Sequence, residues 1–171
     1  MNNIITESDR LKISELNIAD ANFILQLVNE PAFLEYIGDK EIQSREEAKK
    51  FIELGPISSY RENGFGFYRV SLKENDISVG ICGLKQRKSL TVPDLGYAFL
   101  KNYRGKGYAT EAGLAVLQYA KKDLDIDTLA AITATHNEAS IHLLQKLGFD
   151  FEKRVHLPEF DSVSNLYMTN L

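Results

Sequence analysis

Residues 103–111 read Y-R-G-K-G-Y-A-T-E, and this short run concentrates the chain's most suggestive chemistry. Gly105 and Gly107 let the backbone approach a ligand closely and adopt positive φ where a turn requires it. A strong helical pattern starts at Tyr108, so the unpaired N–H groups of its first turn and the loop amides converge on one concavity. Such a nest at the positive end of a helix dipole suits a phosphate group. Lys101, Arg104 and Lys106 add positive charge beside it. Each exposed contact of this kind is worth only about 0.3–1 kcal/mol, so several must act together. The same spacing also describes a glycine-rich strand-to-helix turn with solvated charges. Two nucleotide-loop patterns are absent. G-x-x-x-x-G-K-[ST] does not occur, and G-x-G-x-x-G fails because Thr110 stands where its third glycine belongs.

The elements that must hold this loop are legible from periodicity. LKISEL (residues 11–16) alternates like a half-buried strand. Phe23, Ile24, Leu27 and Val28 recur at helical spacing, and Pro31 ends or kinks that run. Residues 33–37 are expected as an aromatic-rich connector. Ser44 followed by Glu47 is a capping box for a second helix, which Gly55-Pro56 stops. Residues 66–72 and 77–84 make a hairpin around KEND, and 95–100 is a third run. The helix from Tyr108 to Ala120 is apolar around most of its circumference, with Leu114 and Leu117 flanking its main face, so it packs on a sheet. A strand at 128–133, a helix from Glu138 closed by Gly148, and strands at 149–155 and 163–169 complete the order. Antiparallel runs with one βαβ crossover inside them give a mixed α/β (α+β) fold.

Composition narrows the function classes. With 171 residues and 44% hydrophobic content, the chain suits one domain, 1–171, with an adequate core. No apolar run approaches the ~18 residues of a membrane span, and residues 1–10 lack a signal-peptide pattern. A net charge of −4 argues against nucleic acid as a partner. One cysteine and three histidines without ligand spacing argue against a metal site. The expectation is a cytoplasmic, reduced protein with no membrane partner, either monomer or homodimer.

Arg104-x-x-Gly107-x-Ala109 resembles the [QR]-x-x-G-x-[GA] pyrophosphate loop of the GNAT superfamily of acyl-CoA-dependent N-acyltransferases. Asn137-x-x-Ser140 followed by LLQKLGF is similar to a second segment of that superfamily. DLGYAFL (residues 94–100) resembles the strand preceding the loop in the RimL-like, ribosomal-protein-acetyltransferase branch. The resemblance implies a twisted, mostly antiparallel sheet of about six to seven strands with about four helices, splayed between the strands at 95–100 and 128–133. It implies acetyl-CoA as cofactor, held through the amides of Gly105, Gly107, Tyr108, Ala109 and Thr110, with Arg104 and Lys106 in the loop. The pantetheine arm would lie along Phe99 and Leu100, and Asn137 and Ser140 would meet it.

The activity so implied is N-acetyl transfer to a primary amine, a protein N-terminus or a small molecule, in a ternary complex. That reaction needs a base, an N–H for the oxyanion and an acid for the thiolate. Asp94, at the start of the strand, is the first candidate base, with a turn cap after Pro93 as its other reading. Many relatives place a tyrosine acid on the second helix, but here Leu144 occupies that position. Ser140 is the substitute acid, the alternatives being helix capping or cofactor binding. A noncatalytic acyl-CoA sensor and a longer acyl donor are the competing functions. Cys82 suggests an acyl-cysteine route but reads better as a buried thiol, and His136 as a surface residue or a base. The KQRK cluster at 85–88 reads as a solvated turn. The acceptor is expected against Glu30, Phe33, Tyr36 and the loop at 157–161, with acidic Glu30, Glu35, Glu159 and Asp161 available to attract an amine.

Overall fold

The alternation in LKISE builds strand β2 (Leu11–Glu15) in the computed structural model, which describes residues 2–171. β2 pairs antiparallel with β1 (Ile4–Glu7), an edge strand that the sequence reading did not include; β1 buries no residue fully, so its apolar signal is weak. β3 (Phe67–Leu72) and β4 (Ser78–Lys85) form the expected hairpin, its turn carrying Asp76 at φ 60°. β5 (Asp94–Phe99), β6 (Thr128–Ala134), β7 (Asp150–Val155) and β8 (Ser164–Asn170) complete one sheet of eight strands in the order β1-β2-β3-β4-β5-β6-β8-β7. Every neighbouring pair is antiparallel except β5–β6. This is a mixed, mostly antiparallel sheet as expected, with eight strands where six to seven were expected.

The helices depart further from expectation. After α1 (Ala21–Val28), residues 33–37 are not a connector: Pro31 opens α2 (Pro31–Tyr36) at its first position, where a missing N–H costs nothing. The capping box is realised, with Glu47 N donating to Ser44 Oγ at 3.2 Å and Ser44 N donating to Glu47 Oε2 at 3.0 Å. That cap starts α3 (Arg45–Ile52), but Gly55-Pro56 does not stop the chain. A π turn at Glu53–Ile57 carries it into α4 (Ser58–Asn63), and Gly64 at φ 78° closes it. The wider turn absorbs the donor and the space that Pro56 denies to a regular helix.

α5 (Tyr108–Asp123) and α6 (Glu138–Lys146) cover one face of the sheet, packing with Leu11, Tyr68, Leu84, Leu95 and Phe149. α5 buries Ala112, Ala115, Val116, Leu117 and Ala120, whereas Leu114 lies exposed. α1 and α3 cover the other face, with Ile24, Leu27, Ala48 and Ile52 against Ile81. Complete burial of each such aliphatic side chain is worth about 1.5–3 kcal/mol, so the sheet is clamped from both sides. Among the described residues, no helix is long and apolar enough to cross a membrane.

β5 and β6 pair only at Asp94↔Ala130 and Leu95↔Ala131. From Gly96 onward the parallel ladder is open, giving the gap expected between these two strands.

Candidate active site

The glycine-rich loop lies at the open end of that gap. Gly105 and Gly107 sit at φ 71° and 81°, and Gly107 is the N-cap of α5 with no side-chain cap. The first helical bond is Glu111 N to Gly107 O at 3.0 Å, so the amides of Tyr108, Ala109 and Thr110 have no acceptor within the helix. Outside braces hold the loop. Arg10 donates through Nη1 to Lys106 O at 2.9 Å, pairs with Glu111 at 2.7 Å, and lies over the Tyr108 ring. Glu30 accepts from Lys101 N and from Arg104 Nη2, each at 2.9 Å, while Arg104 Nε donates to Phe99 O at 2.9 Å. Glu30 is therefore engaged with the loop and is not part of the cavity wall.

A cavity of about 710 Å³ runs from this loop along the β5–β6 gap to the opposite end of β5. Leu100 N donates to Val79 O at 2.9 Å, which commits that amide to β4. Alternation along the strand then turns the backbone groups of Tyr97 and Phe99 toward the gap. Thr133 Oγ1 on β6 is buried without a hydrogen-bond partner among the described residues, and Thr133 lines the same cavity. An unpaired buried hydroxyl calls for a polar ligand atom or water. Helix-end amides, two strand edges and an orphan hydroxyl suit a pyrophosphate followed by an amide-bearing arm. These residues fit coenzyme A.

A family model described as "Acetyltransferase (GNAT) domain" matches residues 10–150, most of the chain. The chain belongs to the GNAT acetyltransferase family. It is 28% identical to the Bacillus subtilis "Uncharacterized N-acetyltransferase YoaA", with 86% of this chain and 84% of that protein covered. It is 31% identical to the Escherichia coli "[Ribosomal protein uS5]-alanine N-acetyltransferase" over 58% of this chain and 53% of that one. Among solved structures, the microcin C7 self-immunity acetyltransferase MccE, in complex with acetyl-CoA and AMP, has the same fold (TM-score 0.80, 17% identity, 96% and 94% covered).

Within this GNAT domain, Ser140 lies on the first turn of α6, where Asn137 Oδ1 accepts from its amide at 3.2 Å. Both line the cavity. Leu144 is fully buried in the core, so that helix has no tyrosine to offer. The tyrosine comes from β5 instead: Tyr97 Oη lies 2.5 Å from Ser140 Oγ and 3.3 Å from Ser140 O. Burial raises the Tyr97 pKa, so its phenol keeps its proton at neutral pH. Nothing in the DLGYAFL run marks Tyr97 as a partner of Ser140; strand and helix meet only in the fold.

Asp94 is 2% exposed and its carboxylate accepts from Arg87 Nε at 2.9 Å, with no cap bond to the neighbouring turn. Burial raises its pKa, with the Arg87 charge pulling the other way. Phe33 and Tyr36 line the cavity from α2, whereas Lys106 and Leu100 do not reach it. Cys82 is completely buried, its thiol pushed up to about 12, which removes the thiolate that an acyl-cysteine route requires. His136 is exposed beside Glu35 and the Tyr36 ring, outside the cavity wall. The KQRK segment is no simple solvated turn, since Lys85 and Arg87 both line the cavity.

The loop makes a direct prediction. Gly107→Val forces a β-branched residue to φ 81°, with its Cβ 3.3 Å from Arg10 Nη2. Backbone strain of roughly 1–2 kcal/mol should lower Tm by roughly 2–8 °C. Acetyl-CoA affinity, measured by calorimetry, is expected to fall by roughly 100-fold, because the branched methyls would stand over the loop and helix-end amides suited to a pyrophosphate. Unchanged affinity would place the cofactor elsewhere.

Proposed function

We propose that this acetyltransferase moves an acetyl group from acetyl-CoA to a primary amine by direct attack in a ternary complex. The observation that carries the reading is the Tyr97–Ser140 hydroxyl pair, which faces the cavity where strand pairing has stopped and lies between the phosphate loop and Asp94. Bound acetyl-CoA supplies the activated thioester. The amides of Gly105, Gly107, Tyr108, Ala109 and Thr110 bind its pyrophosphate, and the Tyr97 and Phe99 backbone orients its arm. Asn137 holds the first turn of α6 in place. Tyr97, protonated and hydrogen-bonded to Ser140, positions the serine hydroxyl to deliver a proton to the sulfur. Asp94, at the far end of β5, takes the proton of the incoming ammonium directly or through water. The competing reading is a sensor that binds without turnover, and the tyrosine hydroxyl that β5 brings to Ser140 supports transfer over it.

Thiol release across an amine panel, with acetyl-CoA binding measured alongside, tests this reading. Binding without release for every amine would overturn it. The role of Asp94 has its own pH signature. A base works only when deprotonated, and burial holds Asp94 above the ordinary carboxylate range. The value of kcat/KM should therefore rise with pH along an acid limb displaced upward from a free carboxylate's. Asp94→Asn is expected to abolish that limb and lower kcat by roughly 10²–10⁴-fold. A retained limb would assign the proton to another group.

A further inference from the structure

Of the four acidic residues expected to attract an amine, Glu159 lines the cavity and Glu30, Glu35 and Asp161 do not. Glu30 holds the phosphate loop, Glu35 faces His136, and Glu159 accepts from Ser89 Oγ at 2.8 Å. The cavity wall beyond Asp94 is also lined by Lys40, Lys85 and Arg87, in a protein whose net charge is −4. Lys85 stands opposite Asp94 in the β4–β5 register, on the sheet face that looks toward α1 and α2. Lys40, in the segment after α2, lines the same cavity.

Arg87 is paired with Asp94, and both lysines are solvent-exposed. Among the described residues, neither Lys40 nor Lys85 has a carboxylate within 4.0 Å. Crowding by protein and the Arg87 charge lower the pKa of both. Arg87 has a side chain only 12% exposed, and it is held by Asp94 through Nε with its guanidinium 5.0 Å from the Phe160 ring centre. That contact uses one of five donors and leaves both Nη groups without a protein partner among the described residues. A planar guanidinium so fixed is suited to a carboxylate or phosphate in bidentate contact. Three cations against Asp94 and Glu159 leave the end of the cavity with an excess positive charge. An anion arriving with the substrate offsets that excess.

We infer that the acceptor is a small primary amine that also carries an anionic group, a carboxylate or a phosphate. Its amine meets Asp94 and its anion meets Arg87, Lys85 and Lys40. The inference rests on the acetyl-transfer reading and specifies the substrate class for that site. It runs against a plain cationic polyamine, whose second ammonium would face three cations.

The experiment uses amines paired on one skeleton: glycine with glycinamide, phosphoethanolamine with ethanolamine, and an acidic tripeptide amide with its neutral counterpart. Each is titrated by calorimetry into the protein saturated with coenzyme A, and each is assayed for thiol release with acetyl-CoA. The anionic member of a small-molecule pair is expected to bind at least about tenfold more tightly, with the corresponding gain in kcat/KM, and raising salt should narrow the gap. Lys40→Gln/Lys85→Gln is expected to erase the preference while acetyl-CoA still binds. Equal or reversed preference in the wild-type protein overturns the inference, as does a double variant that keeps the preference. A preference confined to the acidic peptide overturns the small-molecule assignment. Selective binding of the anionic amine without thiol release would uphold the anion site and defeat the transfer reading, so the two failures are distinct.

Discussion

Ser140→Ala is expected to lower kcat by roughly 100-fold with acetyl-CoA affinity nearly unchanged, the low end for loss of one positioned acid. The variant keeps the Asn137 cap, because that bond reaches the backbone amide of residue 140 and not its side chain. Tyr97 adds a second reading of the same pair. In Tyr97→Phe the ring still fills its place beneath α5 and α6, but the hydroxyl 2.5 Å from Ser140 Oγ is gone. Stability should drop by only about 1 kcal/mol for one buried hydrogen bond. The value of kcat should fall less than in Ser140→Ala, because the serine remains but is no longer oriented. A residue that acts only through Ser140 adds nothing once Ser140 is absent, so the double variant should match Ser140→Ala alone. Additive losses would give Tyr97 an independent role. A raised KM for acetyl-CoA with intact kcat in Ser140→Ala would leave the serine as a cofactor contact only.

Gly83→Ala is expected to cause the largest loss of stability. A Cβ at Gly83 would lie 2.1 Å from Gly66 O and 2.7 Å from Phe67 Cα, both backbone atoms that no rotamer change can move. Gly83 pairs with Phe67 on one side and Gly96 on the other, so β4 would have to separate from β3 at the centre of the sheet. A cost of roughly 3–5 kcal/mol follows, at the upper end for single substitutions. For a chain of this length that lowers Tm by roughly 6–20 °C in a thermal unfolding experiment. Gly55→Ala is the matched control: nothing lies within 4 Å of its added Cβ and its φ is not positive. Its effect should stay within about 1 kcal/mol. Equal shifts in the two variants would remove close strand approach as the reason for glycine at 83.

Much of the architecture was legible because local signals agreed with the global fold. The strand alternation at 11–15, the Ser44–Glu47 box and the Gly148 stop at φ 86° all act within a few residues of themselves. The misreadings fall where a local breaker met a tertiary accommodation. Pro56 would end an isolated helix, yet a π turn packed through the buried Pro56 carries the chain past it. Pro31 looks like a stop for α1 and is in fact the start of α2. β1 was invisible because an edge strand without a fully buried residue shows little alternation.

The candidate site divides the same way. By itself the sequence determined the glycine-rich strand-to-helix turn, the elements on either side of it and the acyltransferase family, because glycine spacing and helix starts are short-range properties of the backbone. Only the tertiary structure decided which side chains share the cavity. Tyr97 and Ser140 are separated by 43 positions and meet because β5 and α6 face one gap. Glu30 and Arg104, 74 positions apart, pair across the loop, which takes the expected acceptor carboxylate out of the pocket. Lys85 and Arg87 read as part of a solvated turn in the chain, and in the fold they line one cavity together with Lys40. Charge in a sequence has a sign and a count. The field that a substrate meets depends on which charges are paired, and pairing is a property of distance in space.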